Sequence, residues 1–584
     1  MKDLKKIFTK HYRIPKADLL DRALKSFSPV EKVLSAIFVV LLVLSAGNLL
    51  YNVNALFLTE IPAGGGSLAE GIIGSPRFIN PLLSSLSDKD TADRDLTILI
   101  YSGLMKPTLG GTLIPDLASA YSVSEDGLSY TFTIRENATF HDGTPVLADD
   151  VLFTIQKAQD SALKSPKRAN WEGVTSEKKD DHTVVLTLKQ PYAPFLENTT
   201  LGILPKHLWK DATAEQFPFS PFNLEAVGSG PYKVKKIIRN NSGIPYYIEL
   251  SAFDRYTLGA PYIKNITLYF YPNEKELLKG LTRGEIAGVN TITPQGAKTL
   301  EASGARIERT PLPRIFGIFF NQNQSAVLSE KAVRRALLLA TNKQAIVDKV
   351  LYGYGVPIEG PVPRQILKTA GEEPFTEARL TEADNLLTKA KWVKNPTTGI
   401  RERVKGKTTE RLSFSLVTGD VPELRESAEL LKEMWGKLGI EVRLQIFESG
   451  DLNQNIIRPR KFDALLFGEI IGRDLDLFAF WHSSQRNDPG LNIASYTNSK
   501  VDKLLEEARR TTDPEKRIEN YRTVVASVSA DEPAIFLYSP EFIYILPKEI
   551  RGFSLGRTTI PSERFLDVHH WYVNTEKVWT VFTK

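Results

Sequence analysis

An α/β fold of more than one domain, preceded by one membrane-spanning helix, is predicted by three observations. The chain has 584 residues, more than one hydrophobic core accommodates, so two or three domains are expected. Strand-like runs at 184–188 and 442–446 alternate with amphipathic helical runs at 332–340 and 424–435, an order that argues for lobes with partly parallel sheets. No charged residue lies between Lys32 and Glu60. Apolar content of 42 % and charged content of 24 % are ordinary for a globular protein, which excludes a disordered or fibrous chain.

Residues 1–32 form a basic segment. They hold nine of the 74 Lys and Arg residues but four of the 69 Asp and Glu, so the remaining chain is balanced at 65 of each sign. The body therefore lacks the positive excess that nucleic-acid binding needs, and no nucleic-acid partner is expected. Residues 33–58 read as a transmembrane anchor, strongly apolar from Val33 to Leu44 and softer towards Leu58, with Asn52 and Asn54 interrupting. As a helix the uncharged stretch spans about 40 Å, enough for a hydrocarbon core of about 30 Å. Positive charge before the span places residues 1–32 in the cytoplasm and the body outside, on the periplasmic or extracytoplasmic side. Ser45-Ala46-Gly47 offers a cleavage site, but the charged leader is long for a secretory signal, which favours an uncleaved anchor. The chain has no Cys, so neither an acylated-Cys anchor nor a disulfide is available.

Residues 59–70, with Gly64-Gly65-Gly66 inside them, read as a flexible linker. Further on, Tyr130, Phe132 and Ile134 alternate as one face of a strand. His141-Asp142-Gly143-Thr144-Pro145 is a tight turn in which Asp142 caps local N–H groups, and a helix starts at Ala148, carried on by Val151, Ile155 and Ala158.

In this wording, Phe140-His141-Asp142-Gly143-Thr144-Pro145, Ala148-Asp149-Asp150-Val151 and Phe153-Thr154-Ile155 resemble the signature of bacterial extracellular solute-binding proteins of family five, the dipeptide/oligopeptide-binding type. Further blocks follow in the family's order, among them Phe78-Ile79-Asn80-Pro81-Leu82-Leu83, Gly228-Ser229-Gly230-Pro231-Tyr232, Val333-Arg334-Arg335-Ala336-Leu337 and Pro533-Ala534-Ile535-Phe536-Leu537-Tyr538. The resemblance implies a two-lobed periplasmic-binding-protein (type II-like) clamshell with an inserted subdomain. Mapped here, lobe I takes 71–95, 226–310 and 531–584, the insert 96–225, and lobe II 311–530. Two or three crossing strands would form the hinge. It also implies a solute-binding component of an ABC importer, a monomer that takes a peptide or other small solute and passes it to permease subunits.

The residues supply no rival chemistry. The seven histidines show no metal-ligand spacing, and His569-His570, adjacent in a strand, would face opposite sides. Without a phosphate loop, a Gly-x-Ser-x-Gly elbow or a thiol, neither an enzyme nor a cofactor or metal site is expected.

Candidate ligand contacts come from the apolar run after Phe462, which enters a loop bearing both charges: Gly468, Glu469, Ile471, Arg473, Asp474 and Asp476. In peptide-binding relatives an Asp in this loop pairs with the ligand's ammonium group. Aligning Asp474 and Asp476 with the later acids puts Ile471 at that position. Either Asp474 or Glu469 takes over, or the ligand is not a peptide with a free N-terminus. Arg473 is suited to a ligand carboxylate or to neutralising Asp474 or Asp476. Glu70, Gly71 and Ile72 would offer extended backbone to a peptide, and Trp481 would wall a pocket or serve as core. A sugar, a metal chelate, or a tethered sensor or chaperone remain the alternatives.

Overall fold

The computed structural model describes residues 22, 25–84, 90–368 and 374–582. Most of the basic segment 1–32 lies outside the described residues. The chain divides into two compact units, Met1–Ala63 with Asn574–Lys584, and Gly64–Val573.

In the first unit, the helix Pro29–Leu56 starts at Ser28 with a reciprocal cap: Glu31 N–H donates to Ser28 Oγ (3.3 Å) and Ser28 N–H to Glu31 Oε2 (2.8 Å). Pro29 fits the first turn, where its missing N–H costs nothing. The helix buries none of its side chains and reaches a mean hydropathy of 2.5, long and apolar enough to cross a membrane. The expected linker is corrected here. Leu58–Ala63 is a strand, paired antiparallel with Asn574–Trp579 from Leu58 opposite Trp579 to Ala63 opposite Asn574. Ser67–Ile73 is also a strand, so between them the glycines alone turn the chain. The partner strand lies more than 500 residues along the sequence, beyond the reach of local pattern reading.

In the second unit, a twelve-stranded mixed sheet runs in the order Glu441–Phe447, Ser413–Gly419, Ala464–Ile470, Arg314–Phe320, Ala534–Ile545, Gly288–Val289, Ser67–Ile73, Asn265–Tyr271, Pro245–Ala252 and Tyr232–Arg239, with two short strands added along Ala534–Ile545. The first three strands are mutually parallel, as are Ser67–Ile73 and Asn265–Tyr271. Ala534–Ile545 belongs to both halves. Ala534 to Tyr538 pair with Arg314–Phe320, and Glu541 to Ile545 pair with Ile307–Pro311. One core draws on Leu68 to Phe270 and returns at Phe542 to Trp571. On the other half, strand alternation sends Ala464 and Leu466 to one core and Leu465 to another. These are two lobes.

The crossings between the lobes are Leu312-Pro313 and Ser539-Pro540. Leu312 N–H donates to the Pro540 carbonyl (2.9 Å) and the Ser539 hydroxyl to the Leu312 carbonyl. Pro311, Pro313 and Pro540 donate no N–H, so the ladder breaks here, between the two lobes.

The first lobe also carries an antiparallel sheet of Ala118–Val123, Ser129–Ile134, Thr183–Thr187 and Thr175–Asp180. Tyr130, Phe132 and Ile134 are buried on its inner face, as their alternation predicts. The helix Ala148–Gln159 follows, where Asp150 accepts from Leu147 N–H (2.9 Å) and Lys206 N–H (2.8 Å). Asp142 accepts from Thr144 N–H (3.0 Å), the turn cap expected of it, and His207 Nε2 lies 2.7 Å from its other oxygen.

Candidate ligand-binding cleft

The strand Ala464–Ile470 delivers the charged loop to the boundary between the lobes. Ile471 N–H donates to the Pro313 carbonyl at the crossing between the lobes (2.8 Å), and its side chain is buried in the lobe II core. Beyond it, Arg473 reaches across to lobe I. Its Nη2 lies 2.5 Å from Glu563 Oε1 and its Nε 3.6 Å from Glu197 Oε2. Glu563 is fixed in turn, since its second oxygen accepts from Thr559 N–H (2.6 Å). Asp474 is held by Arg517 (2.9 Å), and Asp476 takes a double contact from Arg509 Nε (3.0 Å) and Nη2 (2.7 Å). Two contacts continue to lobe I: the Tyr192 hydroxyl donates to Asp476 (3.3 Å), and Ala193 N–H donates to the Arg509 carbonyl (2.9 Å). The lobes therefore meet here through polar and ionic contacts, the kind that water replaces when a cleft opens.

Two cavities flank the Arg473–Glu563 pair. One of about 310 Å³ includes Arg473, Arg557, Ile366 and Thr559 in its wall. The other, of about 260 Å³, includes Tyr101, Lys106, Glu197, Glu563 and Phe565. Arg473 Nη1 and Asp474 Oδ2 are buried and find no hydrogen-bond partner among the described residues. Such groups are costly to leave unpaired. Burial raises the Glu197 carboxyl to about 7 against the pull of Arg473, and raises Asp474 to about 6 against that of Arg517. Glu469 is pushed well above the usual carboxylate range by burial, with Arg460 opposing.

Other expected contacts lie elsewhere. Glu70 is fully buried beside Arg564, which also pairs with Asp95 (2.6 Å), and it accepts from the Tyr544 hydroxyl (2.8 Å). Ile72 is core, and at Glu70 and Gly71 the strand is flanked on both sides by parallel neighbours, Asn265–Tyr271 and Gly288–Val289. That leaves no free edge for strand addition, so the expectation for Glu70, Gly71 and Ile72 is corrected. Trp481 is buried among Phe319, Tyr496 and Phe536 as core. Gly468 faces the Phe316 ring, whose edge would lie 2.7 Å from a Cβ, so its role is to make room for that ring. Glu197, Glu563, Arg509 and Arg517 were absent from the sequence reading. Nothing local marks them, and only the tertiary fold brings them to the loop.

The histidine reading also changes. His569 and His570 sit in a short 3-10 helix, Val568–His570, with ring centroids 3.9 Å apart rather than on opposite sides of a strand. Their donor atoms and Asp567 lie within 4.8 Å of one another. Burial, with Lys106 and His570 adding, drives His569 down to about 3. The Lys106 charge, which adds to burial in keeping this imidazole neutral, also opposes a bound cation.

Residues 112–491 match the family described as bacterial extracellular solute-binding proteins, family 5 middle. Over 555 residues the chain is 29 % identical to the oligopeptide-binding protein AppA of Bacillus subtilis, covering 92 % of this chain and 98 % of AppA. Protein XP55 of Streptomyces lividans is 30 % identical over 519 residues, 85 % of this chain and 89 % of XP55. The structure of B. subtilis AppA in complex with a nonapeptide superposes with a TM-score of 0.66 at 27 % identity, covering 88 % of this chain and all of AppA. The ABC transporter substrate-binding protein CtaP of Listeria monocytogenes gives 0.72 at 26 %, covering 87 % and 99 %.

Proposed function

This chain belongs to the bacterial extracellular solute-binding proteins of family 5, and we propose that it binds peptides between its lobes and passes them to the permease of an ABC importer. The observation that carries this is the boundary itself. Two separately cored lobes, joined by two proline-flanked crossings, face each other across the Arg473–Glu563 pair, in which Arg473 keeps one buried atom unpartnered, while Asp474, paired to Arg517 within lobe II, keeps another. The likeness to an oligopeptide-binding protein, and to its complex with a nonapeptide, supports a peptide as the solute.

In this reading Arg473 donates its free Nη1 to the ligand's carboxylate, while Asp474 Oδ2 accepts from its ammonium group in place of the acid missing at Ile471. Glu469, pushed upward by burial, contributes a further hydrogen bond. The protein works as a monomer and as a binder rather than a catalyst, without cofactor. The helix Pro29–Leu56 tethers it to the cytoplasmic membrane with its body outside. Native mass spectrometry of the full chain, extracted in detergent from its own host, tests this. A heterogeneous set of co-purified peptides is expected, and one discrete non-peptide mass would reject the peptide reading.

A further inference from the structure

The first unit places an aromatic side chain where a spanning helix leaves the bilayer. The chain has seven Trp residues. Six of them (Trp171, Trp209, Trp392, Trp435, Trp481 and Trp571) are buried, whereas Trp579 is 52 % exposed. Its backbone pairs with Leu58, two residues beyond the helix Pro29–Leu56. Thr580 secures the junction: its N–H (2.8 Å) and hydroxyl (2.9 Å) both donate to the Phe57 carbonyl. Phe57, Trp579 and Val581, all exposed, therefore gather at the helix end of the two-stranded ribbon. In its middle Glu60 stands opposite Lys577 and Ile61 opposite Glu576, and at its far end the partner strand continues with Thr575 and Asn574. Along the Asn574–Trp579 strand polarity thus rises with distance from the helix, from Trp579 and Val578 to Lys577, Glu576, Thr575 and Asn574, the order in which a chain meets hydrocarbon, headgroups and water.

The lengths agree. From Lys32, the last charge before the span, a helix rises about 39 Å to Leu58. That matches a bilayer of about 40–45 Å including its headgroup regions, so the level of Leu58 and Trp579 is that of the outer headgroups. Tryptophan is enriched at that depth because its ring is amphipathic.

We infer that the ribbon Leu58–Ala63 with Asn574–Trp579 is a second, interfacial membrane contact, with Trp579 seated among the lipid headgroups. This rests on the helix being a membrane anchor, and it adds that the distant strand returns to the same surface. The occupant is the lipid bilayer, reached by continuity with the span.

The test uses the full chain and a W579F variant, each reconstituted in phosphatidylcholine–phosphatidylglycerol vesicles carrying brominated acyl chains. Flotation on a density gradient reports the anchor separately. With both proteins floating, wild-type emission is expected to be quenched more than that of W579F, and more by bromine at shallow acyl carbons than at deep ones. Flotation with equal quenching of the two proteins would overturn the interfacial contact and leave the anchor standing. Failure of the wild type to float would overturn both.

Discussion

Arg473 and Glu563 form an ion pair between the lobes, 2.5 Å apart, with side chains only 5 % and 12 % exposed. Glu563 lines one of the two cavities and Arg473 the other, so in the proposed reading the groups that hold the lobes together are also those offered to a ligand.

Removing the guanidinium leaves Glu563 and Glu197 without their shared cation in a nearly dry site. R473A is expected to cost about 3 kcal/mol of stability, as breaking a buried pair does, while R473K recovers part of it without the planar fork. Chemical denaturation with matched m-values measures both, and an R473A midpoint equal to wild type would refute the pairing.

Glu197 and Asp474 make the cleft sensitive to pH. Burial raises them to about 7 and about 6, so the folded protein holds protons that the unfolded chain, with carboxyls near pH 4, has released. Their contribution to stability is full below about pH 4 and is lost as pH rises through 6 and 7. E197Q, neutral at every pH, is expected to show a smaller fall in thermal midpoint than wild type between pH 5 and pH 8. Scanning calorimetry of the two proteins reads the difference, and parallel curves would discount Glu197.

The motif His141-Asp142-Gly143 is tied to the loop at Gly228. Gly228 N–H donates to His141 Nδ1 (3.3 Å), and His141 Nε2 lies 3.0 Å from the Gly230 carbonyl. Burial keeps His141 neutral, down to about 4. A Cβ at Gly228 would collide with the Ile100 carbonyl oxygen, so G228A is expected to destabilise by about 1–3 kcal/mol. Urea unfolding checks this.

In the lobe I core, Arg564 balances two buried carboxylates, Glu70 and Asp95. R564M is expected to cost about 3–5 kcal/mol by leaving charge uncompensated. Burial already favours the protonated form of Glu70, so E70Q is expected to cost much less. A larger loss in E70Q than in R564M would contradict this assignment. Denaturant midpoints of the two variants suffice to decide it.

What was legible in the chain was what neighbours in sequence determine. The alternation at Tyr130, Phe132 and Ile134, the helix after Ala148 and the uncharged span before Glu60 all appear as read. Long-range partners were not legible. Residues 59–63 read as part of a linker because their pairing strand is at the far end of the chain, and Glu70 read as available because Arg564 and Tyr544 are equally remote. The loop at Arg473 was found through its charges, but the partners Glu197 and Glu563 carry no local pattern at all.

Calorimetric titration of the full chain with a nonapeptide, alongside its C-amidated and N-acetylated forms, tests the central claim most directly. The account predicts one saturating site, weakened about tenfold by each cap as one charge-assisted hydrogen bond is lost. In R473A, amidation should make no further difference. Binding of the peptide with the same affinity in all three forms, or no binding of any of them, would contradict it.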